Sequence, residues 1–198
     1  MSQKVRDPGL LHATISPDMS TMTAEVETPV VPDFVLGETY RILRILHPTM
    51  LTVYDRELPA AIRDFYRRSG PRVDGRRTPI PGTSAEAIEQ AIRAVPLSDH
   101  AALWLGLTAS YRLLGFLVAE VGRDLWGPMT VFVLGAYLWP KRPNRALFPA
   151  FAETASAWGR SRGATVLASA SWRGTPAFWR RRLGYTAGAR IYVKEIAG

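Results

Sequence analysis

The chain has 198 residues, of which 47% are hydrophobic and 21% charged, a balance that is typical of a folded globular domain and excludes a disordered chain. It contains no cysteine, which excludes disulfides, thiolate metal ligands and a cysteine nucleophile. Its formal net charge of +8 favours polyanionic partners, nucleic acid and acidic proteins among them.

Three further kinds of partner are not indicated. His12, His47 and His100 are too far apart for the usual ligand spacing, so we expect no metal site. No run approaches the ~20 apolar residues of a membrane helix, and the N-terminus lacks a signal-peptide core. We therefore expect a cytoplasmic protein without a membrane partner. Because no helix-turn-helix or ribonucleoprotein motif is present, we expect no specific nucleic-acid partner.

The first residues of the chain differ in composition from the rest. They combine several prolines with Ser, Thr, Asp and Met and have no sustained apolar period. Residues 1–36 are therefore predicted to form an extended arm, and residues 37–198 one domain. Because such an arm has no core of its own, we expect it to lie on its own domain or on a protein partner.

The chain up to residue 70 predicts one strand and one helix. The strand lies within Glu38–Leu46 and places Tyr40, Ile42 and Leu46 on one face, together with Arg44. The helix runs over residues 58–69, with a proline in its first turn and a glycine after its end.

A loop and a second helix are predicted next. Residues 71–82 are rich in Pro, Gly and Arg and are predicted to be a loop. Thr83 and Glu86 have the spacing of a capping box, which predicts a helix that ends before Pro96.

From residue 101 the apolar pattern predicts a meander of strands. Leu103, Leu105 and Leu107 alternate along one run, and residues 113–121 run back after a turn. The run 130–139 is almost continuously apolar, which is typical of a strand buried on both faces.

A change of period after this strand predicts a crossover helix. Leu147, Phe151 and Trp158 fall at helical spacing, and Pro149 is tolerable only in the first turn, so the helix is predicted over 145–158. Residues 164–172 then predict a strand parallel to the first.

The end of the chain carries the most specific pattern. It contains Ala157-Trp-Gly-Arg-Ser-Arg-Gly-Ala164, Phe178-Trp-Arg-Arg-Arg-Leu-Gly-Tyr185 and Ile191-Tyr-Val-Lys-Glu-Ile196. These stretches resemble the C-terminal half of a GNAT-superfamily N-acyltransferase, especially the divergent members carried by bacteriophages. The resemblance implies an α/β (α+β) fold with a mixed, mostly antiparallel central sheet flanked by helices.

The resemblance also implies a site for acetyl-CoA as co-substrate. In the family, the fourth and fifth strands splay, the pantetheine arm enters the gap, and the pyrophosphate lies at the N-terminus of the following helix. Ser169 would lie beside this cleft. The remaining matching positions are Tyr137, Leu138, Trp139, Lys141, Arg142, Asn144, Arg145 and Ala146.

Two departures from the family pattern fall in this site. The loop from Pro140 to Ala146 has no glycine, and its cations either compensate through side-chain charge or simply cap a surface turn. Arg180 stands where many members have the tyrosine that protonates the leaving thiolate. An arginine is a poor proton donor, although it can stabilise an anion.

Acyl transfer to an amine needs a base, and the sequence offers three candidates. We predict Glu120 first, on a strand face with Leu114, Phe116 and Val118, followed by Asp124 and His100. The alternative is that Glu120 is simply a solvated or ion-paired carboxylate.

The proton for the leaving group could come from water or from a tyrosine, Tyr192 or Tyr137.

Two functional hypotheses remain open from the sequence. The first is an acyl-CoA-dependent N-acyltransferase, whose partners are acyl-CoA and an amine acceptor. The second is a catalytically inactive assembly protein of the same fold, such as a bacteriophage virion component whose arm binds a neighbouring subunit.

Overall fold

The computed structural model describes residues 34–36, 39–123, 127–139 and 146–169. The helices in these ranges are α1 Glu57–Ser69, α2 Ala85–Ala94 and α3 Leu147–Arg160, with short 3₁₀ segments at Pro48–Tyr54 and Val95–Leu97. The strands are β1 Phe34–Leu36, β2 Arg41–Ile45, β3 Arg72–Val73, β4 Arg76–Arg77, β5 Ala101–Leu107, β6 Leu113–Arg123, β7 Met129–Leu138 and β8 Val166–Ser169. None of these helices combines the length and the apolar character that crossing a bilayer requires.

The main sheet has six strands in the described part of the chain, in the order β1-β2-β5-β6-β7-β8. Neighbouring strands are antiparallel from β1 to β7, and β7 pairs with β8 in parallel. Helix α3 makes the crossover that a parallel pair needs. The predicted fold class, a mixed and mostly antiparallel sheet flanked by helices, is confirmed.

The sheet separates two hydrophobic cores. On one face, α1 and α2 contribute residues such as Leu58, Ile62 and Ile92, which pack against Leu105 and Phe116 of the sheet. The other face is covered by α3, whose residues pack against the alternate side chains of the same strands. Because side chains alternate along a strand, β5, β6 and β7 supply residues to both cores and read as almost continuously apolar.

Two glycines lie where α3 contacts the sheet: Gly159, near the end of the helix, and Gly106 of β5, opposite the start of the helix. A Cβ atom on Gly159 would lie 2.1 Å from Val131 Cγ2, and one on Gly106 would lie 2.5 Å from Leu147 Cδ2. At Gly159 the short side chain of Val131 cannot move away, so only glycine permits this approach, whereas the flexible Leu147 side chain could shift for a methyl group at position 106. The close approach of α3 to the sheet therefore depends on glycine near its end.

The sheet begins before the predicted start of the domain. Strand β1, at 34–36, pairs antiparallel with β2 although the sequence places these residues in the arm. Residues 1–33 lie outside the described ranges. So do residues 178–183, whose pattern favours a short amphipathic segment, and residues 185–196, whose pattern favours a strand or a hairpin.

Two details of the first predicted elements are wrong. Leu46 does not share the inward face of Ile42, because β2 ends at Ile45 and Leu46 is 49% exposed. The cap of α2 is Ser84, whose hydroxyl accepts a hydrogen bond from Ala87 N at 3.1 Å, and not Thr83. Both Thr83 and Ser84 are chemically able to cap, so the sequence did not distinguish them.

The predicted loop at 71–82 contains a β-hairpin. Strands β3 and β4 are joined by Asp74 and Gly75, which have φ values of 49° and 74°. Two successive positive φ values are the geometry of a two-residue hairpin turn, and Asp-Gly is a sequence that favours it.

Candidate active site

The pairing of β7 with β6 shifts register near the middle of β7. Val133 pairs with Ala119 and Gly135 pairs with Val118, so Leu134 lies in a β-bulge and is 59% exposed. On the other side of β7, residues Thr130 to Val133 pair with β8 up to Ser169, which is the last residue that the structure describes. A bulge bends its strand and increases the local twist, so β7 bends at Leu134.

Tyr137 lies beyond the bulge and faces α1. Its side chain is buried, with 6% exposed, and its hydroxyl donates a hydrogen bond of 2.6 Å to Asp64 Oδ2. The ring makes an edge contact with Phe65, with 5.6 Å between centroids. Because the hydroxyl proton is directed at Asp64, the side chain of Tyr137 joins β7 to α1.

Asp64 has a second partner on its own helix. Its Oδ1 atom lies 2.5 Å from Arg68 Nε, one helical turn further along. Asp64 therefore lies between the hydroxyl of Tyr137 and the guanidinium of Arg68. An i, i+4 Asp–Arg pair is visible in the sequence, but Tyr137 is 73 residues away from Asp64, so no local pattern predicts this contact.

The last residues of β7 and the start of α3 hold the other described positions of the predicted acetyl-CoA site. Leu138 packs against the core under α3, whereas Trp139 packs on the α1 side and donates from its backbone N to Leu114 O at 2.7 Å. Ala146 is the N-cap residue of α3 and is exposed. Lys141, Arg142, Asn144 and Arg145 lie outside the described residues.

The first turn of α3 supplies few groups that suit an anion. Its N-cap residue, Ala146, has no side-chain acceptor, and Pro149, the third residue of the helix, has no N–H. The positive end of the helix dipole lies at this end.

Glu120 lies on β6 opposite Phe132 of β7 and Ala101 of β5, and it is exposed. It shares the α1 face with Phe116 and Val118, as expected from strand alternation. The expectation that Leu114 shares this face is wrong. Leu114 packs on the α3 side because β5 and β6 shift register between Gly106 and Leu107.

The fold separates some candidate catalytic residues and brings others together. Glu120 and Tyr137 lie on the same face, but their β6 positions differ by four residues, or roughly 13 Å along the strand. His100 immediately precedes the pairing partner of Glu120, and its carbonyl accepts from Val121 N at 2.7 Å. Asp124, Arg180 and Tyr192 lie outside the described residues. Within the described ranges, no three His, Cys, Asp or Glu side chains group as a metal ion would require.

A second carboxylate that the sequence did not single out lies near the start of α1. Glu57 accepts a hydrogen bond of 2.8 Å from Leu113 N and also binds Arg112. Burial raises the pKa of the nearby Tyr54 hydroxyl, and the charge of Glu57 raises it further. This cluster fixes α1 to the start of β6.

Comparison with solved structures gives three informative likenesses. An aminoglycoside acetyltransferase, AAC(6')-Iy bound to a CoA bisubstrate analogue, superposes with a TM-score of 0.59 at 16% identity, over 80% of this chain and 99% of that one. A putative acetyltransferase from Pyrococcus furiosus gives 0.56 at 18%, over 79% and 99%. Glucosamine-6-phosphate N-acetyltransferase from Arabidopsis thaliana gives 0.58 at 8%, over 81% and 100%.

The chain has the GNAT fold. No family model matches the sequence, and no curated protein matches it. Identities of this size show the fold alone, so the GNAT fold is the finding and the activity has to be argued from the site.

Proposed function

We propose that this chain transfers an acetyl group from acetyl-CoA to a primary amine within a ternary complex. The observation that carries the proposal is the β-bulge at Leu134, on the strand whose first half pairs in parallel with β8. A strand that bends at a bulge can offer backbone N–H and C=O groups to an extended ligand, as it would to another strand.

The proposed reaction needs one base and one acid. The amine nitrogen attacks the thioester carbonyl, the C–N bond forms, and the C–S bond breaks. Glu120, or His100 beside it, takes the proton from the nitrogen, directly or through one water. The thiolate takes a proton from Tyr192 or from water, while Arg180 stabilises its charge. The hydroxyl of Tyr137 donates its hydrogen bond to Asp64, which favours Tyr192 or water as the acid.

In this proposal the residues around the bulge and the start of α3 hold acetyl-CoA. The backbone of Tyr137, Leu138 and Trp139 would pair with the pantetheine arm, and Ser169 lies across from Val133 at the same level. The dipole of α3 at Ala146, together with Lys141, Arg142, Asn144 and Arg145, would hold the phosphates. Since Pro149 lacks an N–H, cationic side chains carry more of this binding than in a glycine-rich loop.

A thermal-shift titration of the full chain with acetyl-CoA tests the proposal. At a ligand concentration of 100 times Kd, binding to the folded state alone adds about 2.7 kcal/mol to the free energy of unfolding, which raises Tm. Acetylated pantetheine, which lacks the nucleotide, is the control and should give a smaller shift.

The opposite result favours the other hypothesis. If millimolar acetyl-CoA leaves Tm unchanged, the chain is better explained as an inactive GNAT-fold assembly protein, such as a bacteriophage virion component whose N-terminal arm binds a partner.

A further inference from the structure

The segment from the middle of α1 to the end of the hairpin is strongly basic. Residues 63–82 contain six arginines and two aspartates. Arg63 is close enough to Glu86 to lower the pKa of that carboxyl, after the effects of hydrogen bonds to the Glu86 backbone and to Ser84. Asp64 is bound to Arg68 and Tyr137, so it does not offset the remaining charge.

This basic segment is folded compactly against the end of α1. Ile80 N donates to Tyr66 O at 3.2 Å, and Thr78 N donates to Pro71 O at 3.0 Å. A Cβ on Gly70 would lie 2.1 Å from Pro79 O, so the chain after the hairpin returns directly onto the helix end. The backbone after the hairpin is therefore held against Gly70, which follows Arg68 closely in the chain.

Arg68 is the member of this segment that reaches the candidate site. Its Nε is fixed by Asp64, whose other oxygen accepts from Tyr137 of β7. The Arg68 side chain is still 43% exposed, and Asp64 is the one ion-pair partner that it has within the described ranges. A guanidinium held in this way can donate two parallel hydrogen bonds to a carboxylate or a phosphate.

The basic segment is on the opposite face of the sheet from α3. α1 packs on one core and α3 on the other. The start of α3 is where the proposed function places the CoA phosphates, so Arg68 is not available to them. An anion bound at Arg68 would belong to the other substrate.

We infer that the acceptor amine carries a phosphate or carboxylate group, and that Arg68 binds this group. The inference rests on the proposed function and names the class of its acceptor. A nucleic-acid backbone needs phosphate contacts repeated along a stripe of the surface. Here the contact to the site is one guanidinium held in place by one carboxylate, which suits a small anion.

The test compares matched amines as acceptors, with acetyl-CoA turnover followed by thiol release. One pair is O-phosphoethanolamine and ethanolamine, and the other is β-alanine and β-alaninamide. The anionic member of at least one pair should have the higher kcat/KM, by about tenfold. Which pair discriminates tells whether the site takes phosphate or carboxylate.

Three variants assign the preference to Arg68. Arg68→Gln should remove it by raising KM for the anionic amine, and Arg68→Lys should restore part of it. Arg160→Gln removes the same charge from the exposed end of α3, on the other face, and should leave the preference intact. The Tm of each variant checks that it is folded.

Equal rates for both members of each pair, or equal behaviour of Arg68→Gln and Arg160→Gln, would overturn the inference. So would Arg68-dependent inhibition by a short oligonucleotide when neither pair of amines is discriminated. Failure of the proposed function is a separate result, because it appears as no Tm shift with acetyl-CoA. In that case calorimetry of O-phosphoethanolamine against ethanolamine still decides whether Arg68 binds an anion.

Discussion

At the scale of single residues, burial changes the acidity of one tyrosine. Tyr54 is 5% exposed and lies near Glu57, which binds Arg112 and Leu113 N. Burial is the main reason that the pKa of Tyr54 is raised, followed by the charges of Glu57 and Tyr111. The ionised form of Tyr54 is thus disfavoured in the folded state.

This raised pKa gives a prediction for alkaline pH. The unfolded tyrosine loses its proton near its ordinary pKa of 10.0, before the folded one does. The free energy of unfolding should therefore fall as pH rises through 10 and beyond. Denaturant titrations from pH 8 upward should show a smaller decline for Tyr54→Phe. Tyr66→Phe, on the half-buried side of α1, is the control, and an equal change in both variants would contradict the assignment.

At the scale of elements, the contact of α3 with the sheet gives the clearest prediction. Gly159→Ala places a methyl group against Val131, whose short side chain cannot move away. We expect a loss of about 1–3 kcal/mol in the free energy of unfolding, measured by urea denaturation.

The double variant and a second glycine provide the controls. Gly159→Ala combined with Val131→Ala should cost less than the sum of the two single changes, because the truncated residue makes room for the methyl group. Gly122→Ala, whose Cβ would lie 3.8 Å from Phe132 Cε2, should have little effect. Additive costs at positions 131 and 159 would show that the contact is not responsible.

Much of this element order follows from sequence pattern. The predicted helix at 145–158 corresponds to α3 at Leu147–Arg160, because apolar spacing and a first-turn proline define a long amphipathic helix well. The side of Leu114 could not be predicted in the same way. The register shift inserts one residue beside Gly115, a glycine that suggests a bulge without defining its register, and from there the alternation is reversed.

At the scale of the whole molecule, the sheet divides the proposed reaction between its two faces. The start of α3 would hold the nucleotide on one face, while Glu120 and Arg68 belong to the face covered by α1. The nucleotide site at the start of α3 could be predicted from the resemblance and from strand pattern. The contact of Asp64 with Tyr137 could not, since it joins residues that only the folded sheet brings together.

The proposed base can be tested on the full chain. Glu120→Gln should lower kcat by at least about 100-fold if this carboxylate takes the proton from the amine. Glu153→Gln changes an exposed carboxylate on α3 and should leave kcat unchanged. Equal kcat values for the two variants would exclude Glu120 as the base. His100 would then be the remaining candidate base among the described residues.

The glycine contact near the end of α3 has a consequence for how the molecule can move. At Gly159 the helix meets Val131 without room for even a methyl group, so α3 cannot come closer to the sheet at that end without collision. On the opposite face, α1 is joined to β7 and β6 through the side chains of Asp64 and Glu57, and hydrogen bonds of this kind can break and re-form. If the molecule opens to admit an acceptor, we therefore expect α1 to move relative to the sheet while α3 keeps its position.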